Sequence, residues 1–296
     1  MSRFDLSQYP LWTALVTPFN GSSGVDYNAL ADLLDQQAAA GNGILLLGST
    51  GEGLALTNDE QQEIVRFACK HSPDAPLMVA IGGYNLEHQL QWIEFCNQLP
   101  IDSYLLAAPL YAKPGPKGQE QWFRALLERS QFPCMIYNVP SRAGVDLSLD
   151  ALANLADHPN FWSVKEASGS SVTFNDFKQA LPSIAIFSGE DAMLAEFSAL
   201  GAAGLVSVCA NAWPQATGLY VNQCLAANMV DDLALWQASI APLFSVANPI
   251  PVKILMHQQQ LIKHPELRMP LTHNELTQHQ ALIEANTQIE QWFLQQ

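Results

Sequence analysis

Phe161-Trp162-Ser163-Val164-Lys165-Glu166-Ala167-Ser168-Gly169 is an apolar run that contains one lysine and closes on Ser-Gly. Aromatic and β-branched residues over so short a span, ended by a turn pair, predict a buried strand running into a loop. Desolvating an ammonium there costs several kcal/mol unless it is paired or neutralised. Burial lowers a lysine pKa, and a neutral lysine is a carbonyl nucleophile. Two readings stand at this point. Either Glu166 or another carboxylate pairs with Lys165 structurally, or the amine is kept for chemistry.

Similar apolar runs occupy residues 12–16, 44–47, 77–81, 104–107, 134–137, 161–164, 184–187 and 205–208. Each is followed by a helix-length amphipathic stretch, the alternation of a (β/α)₈ TIM barrel. Helix starts agree: Thr57-Asn58-Asp59-Glu60 is a capping box, Asp26 precedes the periodic Leu30, Leu33 and Leu34, and Gly41 stops that helix. A doubly wound open sheet is the competing fold, but its G-x-G-x-x-G turn is absent. Beyond residue 225 the strand pattern ends, and 231–246, 251–262 and 272–293 read as helices. The expected organisation is a catalytic barrel over 1–225 and a C-terminal helical extension over 226–296, packed on the barrel or on a neighbouring subunit.

Composition narrows the function classes. With 28 acidic against 13 basic residues the formal charge is −15, which repels nucleic acid and anionic membrane alike. A small anionic substrate needs only a local cationic pocket. No stretch approaches a membrane span, and Met1-Ser2-Arg3-Phe4-Asp5 lacks the apolar core of a signal peptide, so a soluble cytoplasmic protein is expected. The five cysteines are widely spaced without a C-x-x-C pair, which fits reduced, packed thiols. None of the seven histidines forms an H-x-x-x-H pattern, and no metal centre is expected.

In such barrels the residues that close each strand line the active site. The second strand ends in Gly48-Ser49-Thr50-Gly51-Glu52-Gly53, whose backbone N–H groups and hydroxyls suit an anion such as a carboxylate, or simply an ordinary turn. Period-two alternation puts Met135 and Tyr137 on one face and Ser163 and Lys165 on the matching face of the next strand, so Tyr137 and Lys165 can both project into the barrel mouth. Tyr137 is then a proton relay or a core aromatic. Arg142, on the loop beyond, offers a fork for a carboxylate. In Ser188-Gly189-Glu190-Asp191 the acids could suggest a metal, but they fit better at the N-terminus of the next helix.

Together these segments resemble the dihydrodipicolinate synthase / N-acetylneuraminate lyase family of Schiff-base barrels. The matching pieces are Gly48-Ser49-Thr50-Gly51-Glu52, Tyr137-Asn138-Val139-Pro140-Ser141-Arg142, Val164-Lys165-Glu166-Ala167-Ser168-Gly169, Ser188-Gly189-Glu190-Asp191 and Asn248-Pro249-Ile250-Pro251-Val252-Lys253. Ser141-Arg142 and the Asn248–Lys253 segment resemble the synthase branch, which condenses pyruvate with aspartate semialdehyde on the diaminopimelate route to lysine. The resemblance implies an imine between Lys165 and pyruvate, Tyr137 as proton donor and acceptor, and Ser49 and Tyr111 completing the relay, Tyr111 from a partner subunit. It implies further that Thr50 holds the pyruvate carboxylate, Val206 walls the ketoacid, Gly189 leaves room beside it and Arg142 receives the semialdehyde carboxylate. A homotetramer of tight dimers with no metal and no dissociable cofactor is implied as well. Ser49 stands where threonine is usual in the synthases, and Leu110 where a second tyrosine often precedes Tyr111. The alternatives are a pyruvate-dependent aldolase or lyase for a sugar acid or hydroxy-oxo acid, and a catalytically silent metabolite-binding barrel.

Overall fold

Eight parallel strands close into a barrel in chain order: β1 (Leu11–Ala14), β2 (Gly43–Leu46), β3 (Leu77–Ile81), β4 (Ser103–Ala107), β5 (Cys134–Asn138), β6 (Phe161–Glu166), β7 (Ala185–Ser188) and β8 (Gly204–Ser207). The computed structural model describes residues 3–226 and 233–296. The strands are buried almost throughout, as expected of a parallel sheet covered on both faces, and this is why they read as continuous apolar runs.

The helices that follow the strands begin where side chains cap them. Asp26 accepts from the Ala29 N–H ahead of α1 (Tyr27–Ala39), and Thr57 and Glu60 form a reciprocal capping box at α2 (Asn58–His71). Asn85 caps α3 (Leu86–Cys96) and Pro116 occupies the start of α4 (Pro116–Arg129). Gly41 takes the left-handed conformation, φ 73°, just past α1. The short α5 (Pro140–Ala143) and α6 (Leu149–Ala153) follow β5; α7 (Ser171–Ala180), α8 (Leu194–Ala199) and α9 (Pro214–Leu225) follow the last three strands.

After the barrel come α10 (Leu233–Ile240), α11 (Ile250–Gln258) and α12 (Gln280–Leu294). Asp231 and Asp232, where the first of these was expected to start, lie outside the described residues. Its expected end at 246 is replaced by a 3-10 turn over Ala241–Phe244, because Pro242 has no N–H to continue the α ladder. The last helix starts at Gln280 rather than 272. The Thr272 side chain accepts from the Asn274 N–H and closes a separate 3-10 turn, after which Leu276 is extended at φ −121°, ψ 98°.

By their internal contacts the residues form two units. One comprises the described residues up to Pro10 together with Pro76–Val206, and its helices bury Phe123, Leu126, Leu127 and the stacked pair Phe174 and Phe197, 4.4 Å between ring centres. The other comprises Leu11–Ala75 and Ser207–Gln296, where Trp236 of α10 stacks on Tyr220 of α9 at 4.3 Å and meets Trp292 of α12 at 5.2 Å. All five cysteines are buried, and none is in a disulfide among the described residues. Among the described residues no helix is long and apolar enough to cross a membrane.

Gly204 opens β8 where the chain runs against Pro10, whose carbonyl accepts from the Leu205 N–H at 2.7 Å. A Cβ there would stand 2.0 Å from that oxygen and 2.7 Å from the Phe187 ring. Gly204→Ala should therefore destabilise the fold by about 1–3 kcal/mol or more. The check is a lowered urea midpoint at unchanged slope.

Candidate active site

Adjacent-strand register brings the central pair together. Tyr137 of β5 is opposite Lys165 of β6, and Met135 is opposite Ser163, despite an irregularity in pairing between Cys134 and Met135. The Lys165 Nζ lies 4.4 Å from the centre of the Tyr137 ring, a cation–π distance for the protonated amine. Lys165 is only 6% exposed. Glu166 does not pair with it. Alternation turns Glu166 to the other face of β6, where Asn138 Nδ2 donates to one oxygen at 3.0 Å and the Ser168 N–H donates to both at 3.0 Å. Lys165 forms no ion pair among the described residues.

Burial pushes the Lys165 amine down to about 8; Asp191 and Glu190 pull the other way, while Arg142 adds to the depression. A sizeable neutral fraction therefore exists near neutrality, which is what a carbonyl nucleophile requires. Arg142 is exposed on α5, a helix started by Pro140 directly after β5, and its N–H donates to the Val139 carbonyl at 3.0 Å. Gly189 follows β7, and a Cβ on it would lie 2.6 Å from Ala167 Cβ and 2.8 Å from Lys165 Cε, so only glycine permits this approach to the lysine stem. Val206 is buried in β8 at 1% exposure. Tyr111 is 90% exposed on left-handed backbone at φ 67°, and its side chain makes no hydrogen bond or ring contact among the described residues.

In the other unit, the turn after β2 is held from α11 and the segment after it. Ser49 is exposed, whereas Thr50 is buried and its Oγ1 accepts from Asn248 Nδ2 at 2.9 Å. Glu52 sits in the left-handed region at φ 55°. Its carboxylate accepts from Lys253 Nζ at 2.5 Å and from the Arg268 N–H at 2.7 Å. Lys253 also donates to the Glu266 carbonyl at 2.8 Å and lies over the Phe19 ring at 4.1 Å. Burial lowers the Lys253 pKa and the Glu52 charge opposes that shift.

The dihydrodipicolinate synthetase family model matches residues 9–289. The chain belongs to this family. It is 44% identical over 283 residues to the 4-hydroxy-tetrahydrodipicolinate synthase of Wolbachia pipientis subsp. Culex pipiens, covering 95% of this chain and 96% of the relative. Against the enzyme of the same name from Francisella philomiragia the identity is 45% over 284 residues, with 96% of each chain covered. The crystal structure of the chloride-inhibited dihydrodipicolinate synthase from Acinetobacter baumannii complexed with pyruvate superposes with a TM-score of 0.88 at 29% identity, over 96% of this chain and 99% of that one.

In this member of the family, sequence reasoning passed over the pairing of Glu52 with Lys253. The signal was present: Lys253 is a lone cation inside Ile250-Pro251-Val252-Lys253-Ile254-Leu255-Met256, the anomaly that marks Lys165. Among the described residues no group of three or more His, Cys, Asp or Glu side chains is arranged to hold a metal ion. Lys253→Met should cost about 3–5 kcal/mol by leaving the Glu52 carboxylate buried without its counter-ion. Unfolding measurements on Lys253→Met and on the double variant Glu52→Gln/Lys253→Met check this, with the double variant expected to recover much of the loss.

Proposed function

We propose that this chain is a lyase that condenses pyruvate with L-aspartate 4-semialdehyde to 4-hydroxy-tetrahydrodipicolinate, in the diaminopimelate route of lysine biosynthesis. The observation that carries it is the desolvated Lys165 amine beside Tyr137. The full-length relatives that bear this activity in their names, and the solved relative complexed with pyruvate, support it.

Neutral Lys165 attacks the ketone carbon of pyruvate, water leaves, and a protonated imine remains. That nitrogen draws electrons so that the methyl group loses a proton and becomes an enamine. The enamine carbon bonds to the aldehyde carbon of the semialdehyde, whose oxygen takes up a proton. The amino group of the second substrate then displaces Lys165 and closes the ring. Tyr137 donates and accepts protons, with Ser49 and Tyr111 as its relay. Thr50 holds the pyruvate carboxylate, Val206 and Gly189 shape the space for the ketoacid, and Arg142 receives the carboxylate of the semialdehyde. The roles of Ser49, Thr50, Tyr111 and Val206 rest on the family resemblance. The reading includes a cytoplasmic homotetramer of tight dimers, in which Tyr111 acts across a subunit contact, no cofactor beyond the covalent imine, and a catalytic part over 1–225 with a helical extension over 226–296.

Borohydride with pyruvate should add the mass of a reduced pyruvate imine at Lys165, and Lys165→Ala should abolish both this adduct and turnover in a coupled assay with the two substrates. Because the amine is reactive only when neutral, adduct formation should rise with pH through about 8 and fall about tenfold per unit well below it. An adduct on another lysine, with Lys165 untouched, sinks the mechanism.

Arg142→Ala should raise KM for the semialdehyde by a loss of about 1.5–3 kcal/mol, the range for a charge-assisted hydrogen bond, and leave imine formation near the parent rate. Equal loss in both steps would show that Arg142 serves pyruvate instead.

A further inference from the structure

Glu190 and Asp191 stand at the start of the 3-10 turn Asp191–Met193, the helix-start position expected of them, and Glu190 makes no capping hydrogen bond with its side chain. Its backbone is fixed instead: the Glu190 N–H donates to Ser188 Oγ at 3.0 Å, and that hydroxyl donates to the Glu190 carbonyl at 2.9 Å. One residue earlier, the Gly189 N–H donates to the Glu166 carbonyl at 2.7 Å and extends the β6–β7 pairing past Ser188. This seats the chain against the Lys165 stem, since a Cβ on Gly189 would reach 2.8 Å from Cε. The Glu190 carboxylate is half-buried and forms no hydrogen bond or ion pair among the described residues, while Asp191 is 1% exposed. A half-buried acid without a hydrogen-bond or ion-pair partner among the described residues, on backbone fixed beside a buried amine, is stabilised as a carboxylate by a cation held nearby.

The proposed reaction supplies one. With a pKa of about 8, Lys165 exchanges between ammonium and amine before pyruvate binds; the protonated imine carries a full positive charge in the same desolvated place, and the enamine is neutral again. We propose that Glu190, with Asp191 behind it, is the counter-charge that stabilises the protonated imine at Lys165. The inference rests on the imine reading of Lys165. Other groups act on the same nitrogen: Arg142 from α5 opposes its charge, and the Tyr137 ring on β5 faces it. Burial and the neighbouring Asp191 push Glu190 up to about 7, with Lys165 opposing the rise, Glu166 adding to it and Arg142 opposing it, so the acid ionises more readily whenever the Lys165 nitrogen carries its positive charge.

The sign of the effect makes it testable. Removing a nearby carboxylate lowers the pKa of the free amine and also depopulates the protonated imine, so two readouts should move in opposite senses. In Glu190→Gln, labelling of Lys165 by an amine-directed acylating reagent, followed by mass spectrometry, should keep its rate to lower pH, the acid limb moving down by on the order of half a unit or more. Exchange of the pyruvate methyl protons in deuterated water without the aldehyde, read by NMR, should slow several-fold. Glu190→Asp should restore both, and Glu190→Ala should repeat the Gln result, with unfolding temperatures confirming intact folds. An adduct at Lys165 in the parent, with an unmoved limb or unchanged exchange in Glu190→Gln, overturns the inference alone, as does a parallel fall of both readouts. Absence of a pyruvate adduct at Lys165 in the parent overturns the imine reading and this inference with it.

Discussion

Desolvation of one amine is the constraint around which this barrel is organised. Water would hold Lys165 as an ammonium; a parallel sheet buried on both faces withdraws that water and brings the pKa down to about 8. Asp191 and Glu190 oppose that fall from beyond β7, and Arg142 reinforces it from α5. A direct partner such as Glu166 would have held the amine charged, and strand alternation prevents that by sending Glu166 to Asn138 and Ser168.

The second buried cation is treated in the opposite way. Lys253 has its carboxylate, a backbone carbonyl and an aromatic face, so it stays bound as one member of a closed network. Breaking such a pair is costly because the surviving charge is left without water. Its anchor, Glu52, lies in a backbone region that non-glycine residues seldom occupy, at φ 55°, and the two bonds to its carboxylate hold it there. Two residues earlier Thr50 is fixed by Asn248 from the same C-terminal region, so the helices after the barrel sequence position this turn. Two chemically similar lysines thus differ in surroundings: Lys253 has a carboxylate partner, and Lys165 has an aromatic face and no ion pair among the described residues.

Charge follows the same local logic. A net charge of −15 would repel an anion such as pyruvate at long range, but screening confines that field to within roughly 10 Å at ordinary ionic strength. At short range local donors count for more than that field: Arg142 is exposed on its proline-started helix, and the turn after β2 carries backbone N–H groups and the Ser49 and Thr50 hydroxyls.

Much of the architecture was legible before any coordinates, because the signals are local. Apolar runs at strand length, the Thr57–Glu60 capping box, Asp26 and Gly41 each act on residues within a turn or two, and each is found where expected. Lys165 announced itself for the same reason: one charge in a strand of apolar neighbours is anomalous on composition alone. The period of two also predicted that Tyr137 and Lys165 face the same way, and the register then set them side by side. The sequence by itself therefore determined the element order, the barrel alternation and the odd lysine. Tertiary structure alone decided which buried lysine meets a carboxylate. Glu52 and Lys253 lie 201 residues apart, and the last helix yields its first eight expected residues to a segment that includes a Thr272 side-chain bond. Pairing depends on burial and register, which are properties of the assembled sheet and absent from any window of chain.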